Sequence, residues 1–401
     1  MKFTQVLCHQ HIGRMIKRHW IISSKKVLAN SDVEIAMKNL KKVAVVDANE
    51  LFQAQSQPVR KEVAKEIPVR QYPPIYSYKT ETLLIEGIKQ AQVLTKSIAL
   101  EGLPMRYEKF LENLKIPDDV HKVVQEDILS AHLFDSEQKK LKKTFDPQRP
   151  AYNHPRVYGI SEERKNLLIL DKFIRSCERL TKNKSENLQK KILQNPFLRV
   201  TLDKDGDDIG MELKADYLIT SAHPIAAVTE TISDEFKTLP DLFPLKFTSS
   251  LNQLGNNGWV NFYPINSGNR FINPHTIFPT FTTKTKTLYE FDINESQIRS
   301  RTLIYAFSAA AARAKQQFGD DVRKLPNPIA VQAIHTNGQS YHFGVLQLNT
   351  LDLNGSNGDV NIWHETEIEN LYESCSYREG IPTLEAYNPS VLAKFFTFYS
   401  Q

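Results

Sequence analysis

His335, His342 and His364 are the residues whose type and spacing first suggest chemistry. Histidine is the side chain whose charge changes near neutral pH, and its neutral ring is a common metal ligand. His335 and His342 straddle Asn337-Gly338 inside an apolar run, the signature of a β-hairpin. A two-residue loop there would set Ile334 opposite Tyr341, Gln332 opposite Phe343 and Ala330 opposite Val345. His342 would then oppose Ala333 and lie diagonal to His335 on one face, close enough to share a metal. A catalytic zinc wants three protein ligands. No H-x-x-x-H or C-x-x-C element nearby supplies the third. Satisfied surface or subunit-interface histidines are the simpler reading. Trp363-His364-Glu365 holds a potential acid/base pair, yet chain neighbours rarely point at one substrate.

Asp203, Asp205 and Asp207 flank Gly206 and suggest a calcium loop. The spacing fails: the sixth place is Asp208 where glycine is needed, and the twelfth is Lys214 where glutamate is needed. Asp205-Gly206 fits a hairpin turn instead. There is no G-x-S-x-G, P-loop or G-x-G-x-x-G. No catalytic residue, metal ligand or cofactor is assigned, and the expectation is a protein that is not an enzyme. The competing expectations are a matrix enzyme using histidine acid/base chemistry and a free mitochondrial RNA-binding factor.

Lys139, Lys140, Lys142 and Lys143 form the densest charge cluster, with Arg149 and Arg156 following in a Pro-rich link beside Tyr152 and His154. Such a segment can track a phosphate backbone and stack on bases. The bland alternative is a solvated helix end. Lys182, Lys184, Lys190 and Lys191 make a second, weaker candidate.

The first 31 residues hold six of the 51 basic groups and none of the 46 acids, leaving 45 cations against 46 anions in the rest. Ile12, Met15, Ile16 and Trp20 recur at helical spacing there. This is the composition of a mitochondrial transit peptide. The nearly neutral remainder does not suit deep burial in RNA, so peripheral placement with mainly protein contacts is expected. Cys8, Cys177 and Cys375 give no disulfide framework and fit a reducing compartment. No apolar run is long enough to span a membrane.

Those candidates need elements to hold them. Residues 32–79, broken by Pro58, Pro68, Pro73 and Pro74, read as an extended arm. Helices are expected at 81–99, from 118 or 119 to 134, at 162–182, 185–194, 295–318 and 389–399, with one turn at 233–239. Asn294 and Gln297 make a capping box for the helix at 295–318, and Gly319 ends it. Strands are expected at 197–220, 286–293 and 329–349, the first and last as hairpins. Residues 241–283, rich in Asn, Pro and aromatics, read as irregular: either a self-packed loop or a docking surface. The fold class is α+β, with antiparallel sheet elements packed against helices. The divisions are 1–31 transit peptide, 32–79 arm, 80–195 mainly helical, and 196–401 α+β.

Two ordered blocks carry a family likeness. One holds Leu303 to Phe307, Gly319-Asp320, Pro328 to Val331, Gly338, His342-Phe343 and Gln347 to Thr350. The other holds Leu84, Glu86-Gly87, Lys89 to Ala91, Leu94 to Lys96 and Glu101 to Pro104. Together they resemble the mitochondrial large-ribosomal-subunit family numbered thirty-seven, which shares a domain with the mitochondrial ribosomal death-associated protein thirty. The resemblance implies a structural ribosomal component in the mitochondrial matrix. Its implied partners are mitochondrial ribosomal proteins, that relative among them, and large-subunit rRNA. It implies no catalytic residues and no small-molecule substrate.

Overall fold

The computed structural model describes residues 74–133, 139–140, 147–148, 158–181, 189–228, 238–255, 259–286, 291–355, 358–378 and 381–401. The expected segment 1–31, the arm up to residue 73, most of the 233–239 turn and half of the 286–293 strand lie outside them. In chain order the elements are β1 (Ile75–Lys79), α1 (Ile88–Thr95), β2 (Ser97–Glu101), α2 (Met105–Asn113), α3 (Asp118–Leu133), β3 (Lys139–Lys140), β4 (Tyr158–Gly159) and α4 (Glu162–Thr181). There follow β5 (Lys190–Gln194), β6 (Phe197–Lys204), β7 (Asp207–Lys214), β8 (Tyr217–Ser221), β9 (Asn252–Leu254), β10 (Asn273–Phe278) and α5 (Glu295–Phe318). The chain closes with β11 (Lys324–Thr336), β12 (Ser340–Thr350), β13 (Asn361–Glu365), β14 (Glu369–Asn370), β15 (Ser374–Arg378), β16 (Ile381–Glu385) and α6 (Pro389–Tyr399).

Helix α5 organises the rest. The Asn294 side chain accepts from the Gln297 amide at 2.8 Å, and Gln297 Oε1 accepts from the Asn294 amide at 3.2 Å. This is the capping box expected from the sequence. Apolar residues then run all round the helix, the pattern of a helix with no solvent face. Leu303, Ile304, Phe307, Ala309, Ala310, Ala311 and Ala314 are fully buried. On one side Tyr305 donates its hydroxyl to the Lys214 carbonyl at 3.0 Å, reaching the four-stranded sheet β6-β7-β1-β9. On the other side lies the eight-stranded sheet, ordered β2-β13-β12-β11-β10-β8-β5 with β14 added at β12. The alanines let both sheets approach the helix axis closely.

The far face of the larger sheet carries a second core. Ile334, Tyr341, Phe343 and Val345 meet α3, α4 and α6 there. Phe173 stacks on Tyr341 at 5.9 Å and meets Phe395 edge-on at 5.4 Å. The expectation that residues 330, 332, 334, 341, 343 and 345 share a face is met, but that face packs on α4 and α6, and α5 takes the opposite one.

The α+β class stands. The sheets are mixed, because β1 with β7, β10 with β11 and β13 with β2 are parallel. Helices 118–134, 162–182 and 389–399 appear within a residue or so of expectation. Three local readings change. The 81–99 helix shrinks to α1, because Gly87 stands at its start with φ 56° and Lys96 turns left-handed at φ 49°. Ile98, inside the expected 81–99 helix, is instead in β2. The 185–194 helix is replaced by strand β5 over its last five residues. Residues 241–283, read as irregular, contain β9 and β10. The sequence also hid α2.

Candidate functional site

The histidine pair sits at the centre of the molecule, on the α5 side of β11 and β12. His335 directly faces His342, not Ala333, because the hairpin loop centres on Gly338-Gln339. Gly338 has φ 86°, the left-handed conformation such a loop asks of its first residue. The Asn337 side chain accepts from the amides of Gln339 and Ser340 at 3.0 and 2.7 Å. Asparagine therefore serves as the turn's acceptor, and that moves the register by two.

Both rings are fully buried, so they are interior residues, not surface or interface ones. His335 Nδ1 lies 3.2 Å from the Ile298 carbonyl, and Phe281 meets its ring edge-on at 4.9 Å. Burial, with Arg301 nearby, pushes the His335 pKa well below the usual value and keeps the ring neutral. His342 Nδ1 lies 2.7 Å from Thr302 Oγ1, and its Nε2 lies 3.3 Å from Glu365 Oε2.

Glu365 is the hub. Trp363 Nε1 donates to its Oε2 at 2.9 Å, and the Arg299 guanidinium pairs with its Oε1. Burial works to raise this carboxyl, but the donors His342, Arg299 and Trp363 outweigh it and hold the pKa below the usual range. Strand alternation puts Trp363 and Glu365 on the α5 face of β13 and His364 on the other. The neighbours His364 and Glu365 thus do not converge. What converges is His342 with Glu365, across two strands. Arg299 and Thr302 complete the set from α5; sequence reasoning missed both, because nothing in helical spacing marks which polar residue will face a sheet.

This arrangement clamps α5 to β13 through the charge-assisted Arg299–Glu365 pair and to β12 through Thr302 and His342. A cleft of about 400 Å³ reaches the Glu365 carboxylate, lined also by Glu101, Glu108, Glu295, Glu367 and Glu369. No group of three or more His, Cys, Asp or Glu among the described residues is disposed to hold a metal ion. Asp205 and Gly206, both left-handed at φ 51° and 86°, form the β6–β7 turn in place of a calcium loop.

Of the basic candidates, Lys140 is exposed on β3, whose backbone pairs with β4; Lys142, Lys143, Arg149 and Arg156 lie outside the described residues, as does the side chain of Lys139. Lys190 and Lys191 lie on β5, the edge of the larger sheet. The aromatics of 241–283 divide. Tyr263, Phe278 and Phe281 are buried, whereas Phe243 and Phe262 are exposed, at 87% and 48%.

Residues 283–401, which hold α5 and the histidine hairpin, match a family model described as mitochondrial 28S ribosomal protein S30 (PDCD9). Large ribosomal subunit protein mL37 of Gallus gallus is 24% identical over 315 residues, 77% of this chain and 68% of that protein. Its counterpart in Mus musculus is 26% identical over 309 residues, 73% of this chain and 66% of that protein. The chain is a homologue of mL37. The Bos taurus mL37 agrees, at 26% over 310 residues, 73% of this chain and 65% of that protein. The alignments thus span about two thirds of each mL37 relative's own length, and they cover far more of this chain than the two motif blocks.

Proposed function

We propose that the protein is a structural constituent of the mitochondrial large ribosomal subunit and supports mitochondrial translation through protein contacts and local rRNA contacts. The observation that carries this reading is the similarity to large ribosomal subunit proteins mL37 across about three quarters of the chain. The interior is consistent with it: the Nδ1 atoms of His335 and His342 face Ile298 and Thr302, and the Glu365 carboxylate is held by Trp363 and Arg299. In this reading residues 1–31 direct import into the matrix. The 139–156 segment, with Lys139, Lys140, Lys142, Lys143, Arg149 and Arg156, lies nearest to RNA. The relative sharing the C-terminal family domain, the death-associated protein thirty, is a neighbouring subunit.

A sucrose gradient of detergent-lysed mitochondria at moderately high salt tests this. Co-sedimentation with the large subunit and monosome, at a shortened mature size, is expected. Sedimentation at the top of the gradient overturns the structural role.

A further inference from the structure

We infer that the exposed aromatic strip along β6 and residues 259–262 docks an extended, basic segment of a neighbouring protein. The inference rests on the ribosomal reading above and deepens it by naming the chemistry of one partner.

The strip is the first observation. The Arg199 amide donates to the Phe262 carbonyl at 3.0 Å and the Phe262 amide to the Arg199 carbonyl at 2.7 Å, so residues 259–262 lie along the outer edge of β6. The Asn261 side chain accepts from the Thr201 amide at 2.7 Å and from its hydroxyl at 3.0 Å, which pins the same segment. Phe262 meets Phe197 at 5.8 Å, and the Arg199 guanidinium lies 5.1 Å from the Phe197 ring and 5.4 Å from the Trp259 ring. These side chains therefore form one continuous surface. Trp259 is seated over Gly210, where a Cβ would come within 2.5 Å of its ring. Val260 and Phe262 nevertheless stay 70% and 48% exposed. Single exposed apolar residues need no explanation. A strip of aromatics with an arginine is the composition of an interface hot spot, and its fixed shape lowers the entropy cost of docking.

The adjoining cleft selects the occupant. Trp259 is also a wall of a cleft of about 290 Å³ lined by Asp203, Asp208, Asp320 and Asp321. The cations in its lining are Lys315 and Arg323, and Arg323 is engaged by Asp203 at 3.0 Å and by Asp352 at 3.7 Å. Asp321 is exposed and makes no ion pair or side-chain hydrogen bond among the described residues. Among those residues the cleft thus carries more negative than positive charge, beside an indole ring. Such a place suits a lysine or arginine side chain, which takes an ion pair and a cation–π contact at once. The same carboxylates repel a phosphate backbone, so the occupant is a protein and not RNA. Proteins threaded into RNA carry the surplus cations that this chain lacks beyond residue 31. A segment of such a neighbour would lay apolar side chains on Val260 and Phe262 and set a cation in the cleft.

The test replaces Val260 of the full chain with the photocrosslinker p-benzoylphenylalanine, in mitochondria, and identifies what it joins on purified large subunits. A protein segment in which Lys and Arg outnumber Asp and Glu is expected. A crosslink to rRNA, to a second copy of this chain or to an acidic segment overturns the proposal. So does the lack of any crosslink from a chain that is present on the subunit. Each of these outcomes leaves the ribosomal reading intact. Absence of the chain from large subunits fails that reading and the proposal with it. A synthetic peptide of the joined segment then separates the two contributions. Its affinity for the full chain should fall about five- to tenfold in Asp321→Lys, a loss that shrinks as salt rises from about 50 to about 500 mM. Phe262→Ala should cost a similar factor at every salt concentration. Both positions are exposed, so circular dichroism should show both variants folded. Equal affinity in the wild type and both variants overturns the proposal.

Discussion

Glu365 is a carboxylate held by two donors, Arg299 and Trp363, with His342 Nε2 3.3 Å away and almost no water: its side chain is 1% exposed. Taking one partner from a buried charge cluster leaves the others unpaired, so Glu365→Gln should cost about 3–5 kcal/mol in urea unfolding. Because its folded pKa is depressed, its contribution is complete above the ordinary carboxylate range and drains as pH falls through the lower folded value. His335 and His275 act at higher pH. Both are held below the ordinary 6.5, His275 at about 3. Below 6.5 the unfolded rings take up protons that the folded ones refuse, so stability falls with pH there. Each ring should contribute about 1.4 kcal/mol per pH unit. Urea unfolding between pH 7 and pH 5 should show the decline, to which His132 and His364, also held low by burial, add, and His275→Gln should remove part of it. An unaltered slope in that variant would show the ring protonated in the folded state.

Elements declare themselves in sequence when their signals are local. The Asn294–Gln297 capping box and Gly319 bracket α5 in the sequence as in the structure. The apolar stripe of α4 gave its bounds to within one residue, because one face meets a sheet and the other meets solvent. The failures are non-local. Leu84, Ala91, Thr95 and Ile98 are all buried as a helical stripe requires, but Leu84 precedes α1 and a left-handed Lys96 puts Ile98 in β2. The pairing of β2 with β13 joins residues more than 250 apart, beyond the reach of periodicity. His342 and Glu365 both stand out in the sequence, but their meeting depends on β12 pairing with β13, and no spacing encodes that. Gly344 shows how tightly the strands interlock: a Cβ there would collide with the buried Trp363 ring. Gly344→Ala should cost about 1–3 kcal/mol by forcing that ring aside. Thermal unfolding and Trp363 fluorescence would report it together, and an unshifted midpoint would mean the ring has room to move.

At the scale of the whole molecule, α6 closes the second core. Val391, Leu392, Phe395, Phe396, Phe398 and Tyr399 are all buried in it. Burying such side chains is worth about 1.5–3 kcal/mol each. Their sum is on the order of a domain's entire net stability, about 5–15 kcal/mol. A chain stopped at residue 388 should therefore not reach the native state; limited proteolysis should digest it under conditions where the full chain persists. A protease-resistant core containing α4 would contradict this.

The parallel pair of β2 with β13 sets a timetable for folding. A chain threaded or synthesised from its N-terminus delivers β2 at residues 97–101 and its partner only at 361–365. Until then one edge of the future sheet offers unpaired amides and carbonyls to any passing strand. The local hairpin of β11 and β12 can form at once, whereas the edge must wait through slow, long-range closure. The chain is therefore most exposed to mispairing just before it is complete, and a chaperone that shields β2 during that interval would raise the yield of folded protein more than one acting at the hairpin.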